Sequence, residues 1–217
     1  MPTCLITGAN KGIGLQLCLK ALSDGWTVYG STRRGEVPEG VHPLIFDVTD
    51  HNTMKRAVSS LLELDLLINN AGIIGPENQA TLDMDFEGFL KTFEINTLSP
   101  LALSQTCLPA LLKSKAARII TISSQMSFMG YAKSDRIAYR ASKAAVNKVM
   151  QGLATDLKDK NIAVTLMDPG WVRTDMGGSE ADLEPDEVAR GIWDFSQSIT
   201  MSHTGKFFKW TGEQREF

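Results

Sequence analysis

The chain has 217 residues, 43% hydrophobic and 22% charged, which excludes a disordered, collagen-like or coiled-coil protein and favours one domain over 1–217. Its 22 basic and 25 acidic residues give a net charge of −3, against an extended nucleic-acid surface, although a local cationic cluster can still hold a phosphate. The longest uncharged run, Ile95 to Leu112, contains Asn96, Pro100, Gln105 and Pro109 and is read as a buried helix, not a membrane span.

The first ten residues, MPTCLITGAN, lack the basic stretch, apolar core and small-residue cleavage site of a signal peptide. Cys4, Cys18 and Cys107 are odd in number and show no metal-binding spacing, so buried reduced thiols and a cytoplasmic, soluble protein without a metal are expected.

Short apolar runs alternate with longer helical patterns along the chain. Thr3–Thr7 is a first strand, followed by a glycine-rich turn and a helix over 14–23. Thr27–Ser31 and Leu44–Asp47 are the next strands. A helix over 52–62 leads to a fourth strand, Leu66–Asn69. Helices over 86–93 and 98–113 precede a fifth strand, Ala117–Ser123. The segment Tyr139–Lys158 places Val146, Val149, Met150, Leu153 and Leu157 at helical spacing. Ala163–Met167 is a sixth strand, 185–196 a further helix, and Phe207–Trp210 a possible edge strand. Near-continuous apolar strands such as LLI and AVTLM suit a parallel sheet covered on both faces. The expected fold is α/β, a doubly wound and mostly parallel seven-stranded sheet with helices on both sides.

The turn after the first strand reads Gly8-Ala-Asn10-Lys11-Gly12-Ile13-Gly14. Glycines there permit a tight turn and close approach of backbone to a pyrophosphate, and the following helix offers free N–H groups and a positive dipole end. No Gly-Lys-Ser/Thr closes the turn, so it is not a P-loop, and its spacing departs from GxGxxG.

TGxxxGIG resembles the cofactor motif of the short-chain dehydrogenase/reductase family. Further blocks follow in the family's order: Asn69-Asn70-Ala71-Gly72, Asn96, Ser123-Ser124, Tyr139-x-x-x-Lys143, and Pro169-Gly170 with Val172 and Thr174. The short length, TGANKGIG and DPGWVRTDMGG are most similar to its C-factor and carbonyl-reductase branch. The resemblance implies a Rossmann fold and NADPH or NADP⁺ as cofactor. It gives Asn70, Ala71 and Gly72 a cofactor-facing role, Asp47 and Val48 an adenine contact, and Thr174 a bond to the nicotinamide carboxamide.

The choice between NAD and NADP rests on the end of the second strand, where an acid suits a ribose hydroxyl and a cation suits a 2′-phosphate. Thr32 stands where the acid would be. Arg33 offers a planar fork for phosphate, Lys11 a second charge, and Arg34 either the same or a solvated turn position.

Tyr139 and Lys143 lie four apart, on one face of a helix. One ammonium about 4 Å from a phenol, at an effective dielectric near 20, is worth roughly 4 kcal/mol, enough to bring Tyr139 towards neutral pH as a general acid/base. The resemblance assigns catalysis to Asn96, Ser124, Tyr139 and Lys143. Ser124 polarises the substrate oxygen, and Asn96 holds a water linking Lys143 to solvent. Ser124 precedes Tyr139 by fifteen residues, longer than in many relatives, so Ser123 and Ser127 remain alternatives for it.

Met126, Phe128, Trp171 and Met176, with Met129 and Tyr131 nearby, are candidate linings of an apolar substrate pocket. Only about ten residues separate Thr174 from the helix at Pro185, which predicts an open cleft with a mobile edge. His42, His51 and His203 fall outside every matched block. Two functions follow: an NADPH-dependent carbonyl reductase acting on a small molecule, or an NADP(H)-binding signalling protein whose output is occupancy. Relatives assemble through the helices matching 98–113 and 139–158, so a homodimer or homotetramer is expected, with no nucleic acid or membrane partner.

Overall fold

A computed structural model describes residues 1–217. The elements run β1 (Thr3–Thr7), α1 (Gly12–Ser23), β2 (Thr27–Thr32), β3 (His42–Ile45), α2 (His51–Val58) and β4 (Leu66–Asn69). A short hairpin, β5 (Gln79–Ala80) and β6 (Asp83–Met84), precedes α3 (Phe86–Phe93) and α4 (Ser99–Leu111). The second half adds β7 (Arg118–Ile122), α5 (Ile137–Asp156), β8 (Ala163–Asp168), α6 (Pro185–Ser198), β9 (Phe207–Lys209) and β10 (Gln214–Arg215).

One sheet orders these strands β10-β9-β8-β7-β4-β1-β2-β3, parallel throughout except for β10. The apolar runs are apolar because both faces are covered: all six residues of β8 and all four of β4 are buried. α1 and α6 pack one face around Leu17, Val28, Ile192 and Trp193. Met54 of α2, Leu103 of α4 and Met150 of α5 pack the other. The two clusters hold 21 and 22 buried residues, so neither face is left for solvent. No helix is long and apolar enough to cross a membrane.

The sheet has eight strands, not the seven expected. Phe207–Lys209 is not its edge, because Gln214–Arg215 turns back and pairs antiparallel on it. Two polar residues in a charged tail carry no strand periodicity, so only tertiary packing reveals them. The β5–β6 hairpin is likewise too short to show a pattern. The helices around residues 86–113 form one rod, α3 joined to α4 by a π-turn over Glu94–Leu98. Such wide turns recur at functional sites because they re-aim a side chain, and this one carries Asn96.

Candidate active site

The strand order reverses between β1 and β4, where adjacent crossovers leave to opposite faces and a crevice opens beyond the carboxyl ends. This crevice is stitched across its base. Thr7 Oγ1 accepts from Asn70 N and Ala71 N, each at 2.9 Å, and Asn70 Nδ2 donates to Thr7 O at 2.8 Å. Asn69, buried beneath them, donates to Ser104 and Thr121.

The glycine turn forms a cradle against that stitch. A Cβ on Gly14 would stand 2.2 Å from Gly8 O and 2.6 Å from Asn70 Nδ2, so only glycine fits. Gly12 has φ +54° and lies under the Thr174 methyl. Lys11, at the N-cap of α1, makes no side-chain cap, and the helix therefore presents its first N–H groups to the crevice. Asn10 and Lys11 are exposed and Ile13 is half-buried beside them.

At the end of β2, Thr32 Oγ1 accepts from Gly35 N at 2.7 Å and closes a turn that displays Arg33 and Arg34 to solvent, neither of them ion-paired. Arg33 also helps hold the Asp47 carboxyl below its usual range, after the larger effect of the Thr49 N–H. Asp47 receives Thr49 N and Oγ1 at 2.9 and 2.7 Å, and Val48 is half-buried beside it. Asp50 caps α2 through Asn52 N and Thr53 N.

Lys11, unlike Arg33 and Arg34, has an ion-pair partner. Its ammonium lies 2.6 Å from Asp175, on the far side of the crevice, and both side chains are exposed. The cause is the segment after Pro169-Gly170, which is laced, not a loose flap. Val172 bridges to Leu183, Trp171 Nε1 donates to Gly177 O at 2.8 Å, and Arg173 spans Ser179 O, Ala181 O and Glu184. Thr174 Oγ1 accepts from Gly177 N. The mobility expected from the segment's glycines is thus opposed by its arginine.

Tyr139 falls in the first turn of α5, with Lys143 one turn on, and both are buried. Ser124 is close enough to the Tyr139 phenol to act on it, favouring loss of its proton, and its Oγ also accepts from Met126 N at 3.1 Å. Ser123 instead faces Asn147 Oδ1 at 2.5 Å, and Ser127 donates to Ser124 O, so the structure separates the three serines. Lys143 Nζ donates to Ile122 O at 2.8 Å and sits 5.7 Å from the Tyr139 ring centroid. Burial pushes the phenol up to about 12, and burial pushes the Lys143 ammonium down to about 8. The lowering of Tyr139 by Lys143 that the sequence predicts is not among the effects that set the phenol. Desolvation dominates, with Ser124 and Arg136 acting against it.

Asn96 is 1% exposed, and its amide clasps the Ile73 backbone: Oδ1 accepts from Ile73 N and Nδ2 donates to Ile73 O and to Ser142 Oγ. Gly72 lies between Asn96 and Lys143. A Cβ there would meet Asn96 Oδ1 at 3.1 Å and Lys143 Nζ at 3.6 Å. Asn96, Ser124, Tyr139 and Lys143 thus converge beside the glycine cradle. Met126 and Phe128 are half-buried next to them, whereas Trp171 and Met176 are exposed at the rim. Met129 and Tyr131 are exposed farther out on the same loop. A hollow of about 630 Å³ on α3, lined by Asp85, Glu87, Gly88, Leu90, Lys91 and Glu94, contains none of these groups.

Sequence reasoning missed three supporting residues. Gln79 accepts from Tyr139 N at 3.2 Å and so steadies the uncapped start of α5. Asn147 bridges Ser123 and Ser127 on either side of Ser124. Its spacing of four from Lys143 is the signal that could have found it. Asp168, which precedes Pro169, binds the Ser124 loop.

Residues 2–184 match the family model for short chain dehydrogenase. The "C-signal" protein of Myxococcus xanthus is 36% identical over 152 residues, covering 70% of this chain and 91% of its own. An NADPH-bound carbonyl reductase from chicken fatty liver superposes with a TM-score of 0.91 at 28% identity, covering 100% of this chain and 99% of its own. The carbonyl reductase Sniffer of Drosophila melanogaster gives 0.92 at 27% identity over the whole of both chains. The chain belongs to the short-chain dehydrogenase/reductase family.

Proposed function

We propose that the protein reduces an aldehyde or ketone to an alcohol with NADPH, Tyr139 serving as general acid. The observation that carries this reading is the convergence of Ser124, Tyr139 and Lys143 beside a cradle that only glycine can line. The cradle fits a dinucleotide: Gly8, Gly12 and Gly14 with the start of α1 would hold the pyrophosphate, and Asn70, Ala71 and Gly72 line its floor. Asp47 and Val48 would contact the adenine, Arg33 the 2′-phosphate, and Pro169, Gly170, Val172 and Thr174 the nicotinamide end. The carbonyl reductases similar in structure include one bound to NADPH, which supports the same choice.

The chemistry supplied by bound NADPH is hydride transfer to the carbonyl carbon. Ser124 and the Tyr139 phenol donate hydrogen bonds to the carbonyl oxygen as its negative charge grows. A buried phenol held near 12 keeps its proton at neutral pH, and the developing alkoxide is the stronger base, so Tyr139 passes the proton on. Lys143, brought to about 8, can exchange protons near neutrality and restore the site. Met126, Phe128, Trp171 and Met176 favour an apolar group on the substrate. Assembly into a dimer or tetramer through α4 and α5 belongs to the same reading; Ala102, Leu108, Val149 and Leu153 there pack against the chain's own core and are only partly buried.

NADPH consumption against aldehydes, ketones, quinones and keto-esters tests this reading, with Tyr139→Phe as control. Turnover that persists in the Phe variant would overturn the assigned acid. The resemblance to C-signal favours the alternative in which nucleotide occupancy is the output. Tight NADPH binding, no turnover on any carbonyl and no effect of Tyr139→Phe would support it.

A further inference from the structure

Asp168 ends β8 and is 3% exposed, yet two of its three carboxylate contacts reach across chain segments, the third closing the turn that follows it. Oδ1 accepts from Gln125 N at 2.9 Å and from Gly170 N at 3.0 Å, and Oδ2 takes the Arg215 guanidinium. Gln125 directly follows Ser124, and Gly170 belongs to the turn at the crevice. One carboxylate thereby fixes both the loop carrying Ser124 and the turn opposite. Its cation comes from the chain's last strand, 47 residues away.

Arg215 is held for this purpose. β10 pairs with β9 so that Arg215 lies opposite Phe207, and the guanidinium stacks on that ring at 5.3 Å. Its side chain is 14% exposed, and its Nε is buried without another partner. Lys209, which faces Asp168 in the β8–β9 register, turns its ammonium instead to Glu213 at 2.8 Å. No second cation neutralises Asp168.

We propose that Asp168 and Arg215 are a positioning pair for the proton-donating site, with the C-terminal strand supplying the charge that lets a buried carboxylate order the Ser124 loop and the Gly170 turn. The inference rests on the reductase reading. The Asp168 charge acts to raise the Tyr139 proton affinity, whereas Arg136 acts to lower it, and Lys143 lies 5.7 Å from the ring. Removing Arg215 leaves the carboxylate uncompensated in a low-dielectric site, and removing Asp168 leaves the opposite excess. Removing both restores neutrality, and the amide oxygen introduced by Asp168→Asn still accepts from Gln125 and Gly170.

The test compares wild type, Arg215→Met, Asp168→Asn and the double variant in kcat, in the alkaline limb of reductive activity, and in hydrogen exchange of the Gln125 and Gly170 amides. Arg215→Met should lower kcat by about tenfold or more, the effect of a buried charge left alone. Its limb should move to higher pH and both amides should lose protection. Asp168→Asn should move the limb the other way, and the double variant should return limb and protection towards wild type. A merely structural role does not produce shifts of opposite sign. If Arg215→Met does not fold, the Asp168→Asn limb carries the same test. Active wild-type protein whose single variants share its limb, or shift it in one direction, would overturn the pair. Inactive wild-type protein in which Arg215→Met still exposes the two amides would overturn the reductase reading and uphold the positioning.

Discussion

Replacing Lys143 by methionine should stabilise the protein while abolishing turnover. The ammonium is buried, and burial pushes it from the 10.5 of a free lysine down to about 8. At about 1.4 kcal/mol for each tenfold change in proton affinity, keeping it charged at pH 7 costs roughly 3 kcal/mol. Methionine is of similar length and removes that cost, but it leaves the Ile122 carbonyl, 2.8 Å from Nζ, without this donor, a loss of about 1–2 kcal/mol. The net gain of about 1–2 kcal/mol should raise Tm by roughly 2–8 °C in a chain of this size. The pH dependence has a definite sign. Between pH 8 and 10.5 the unfolded chain holds the lysine proton and the folded chain does not, so wild-type stability rises with pH across that window. The burial penalty is fully present below pH 8 and relieved by 10.5. Urea titrations of both proteins at pH 7 and pH 10 should therefore show the methionine advantage shrinking at the higher pH. An advantage that is absent at pH 7, or unchanged at pH 10, would refute the reasoning.

Gly14→Ala should abolish NADPH binding and cost about 3 kcal/mol or more, because its Cβ would overlap the Gly8 carbonyl, which is backbone and cannot turn aside; nucleotide fluorescence titration and urea melts read the two effects. Arg33→Glu should weaken NADPH binding by about 10–100-fold, and the difference from wild type should narrow in high salt. Asn147→Ala strips the Ser123 and Ser127 hydroxyls of a buried partner, so a loss of about 2–4 kcal/mol in thermal unfolding is expected, with a fall in kcat as the Ser124 loop loosens. Asp50→Ala removes the α2 cap, which two backbone N–H groups share, and should cost about 1 kcal/mol in Tm measurements without changing NADPH affinity.

What the chain order made legible is what local chemistry dictates. The glycines at 8, 12 and 14 had to sit where side chains cannot, and the structure places backbone and Asn70 in that space. The Tyr139–Lys143 spacing had to put both groups on one helix face, and α5 does so. The sequence is silent wherever a long-range partner decides a side chain's setting. Lys11 and Arg33 are both cations suited to one phosphate, and only the fold shows that Asp175, 164 residues away, pairs with Lys11. The Tyr139–Lys143 spacing predicts a phenol lowered by its neighbour, yet burial dominates its proton affinity, and burial is a property of the assembled fold. The tail Gln214–Arg215 carried no signal at all, since two residues have no period. Its meaning lies in Asp168, which a strand pattern marks only as the polar end of an apolar run. Charges at strand ends are therefore the positions whose roles a sequence hides most completely: the pattern fixes where they stand, while their partners come from whichever element the topology brings alongside.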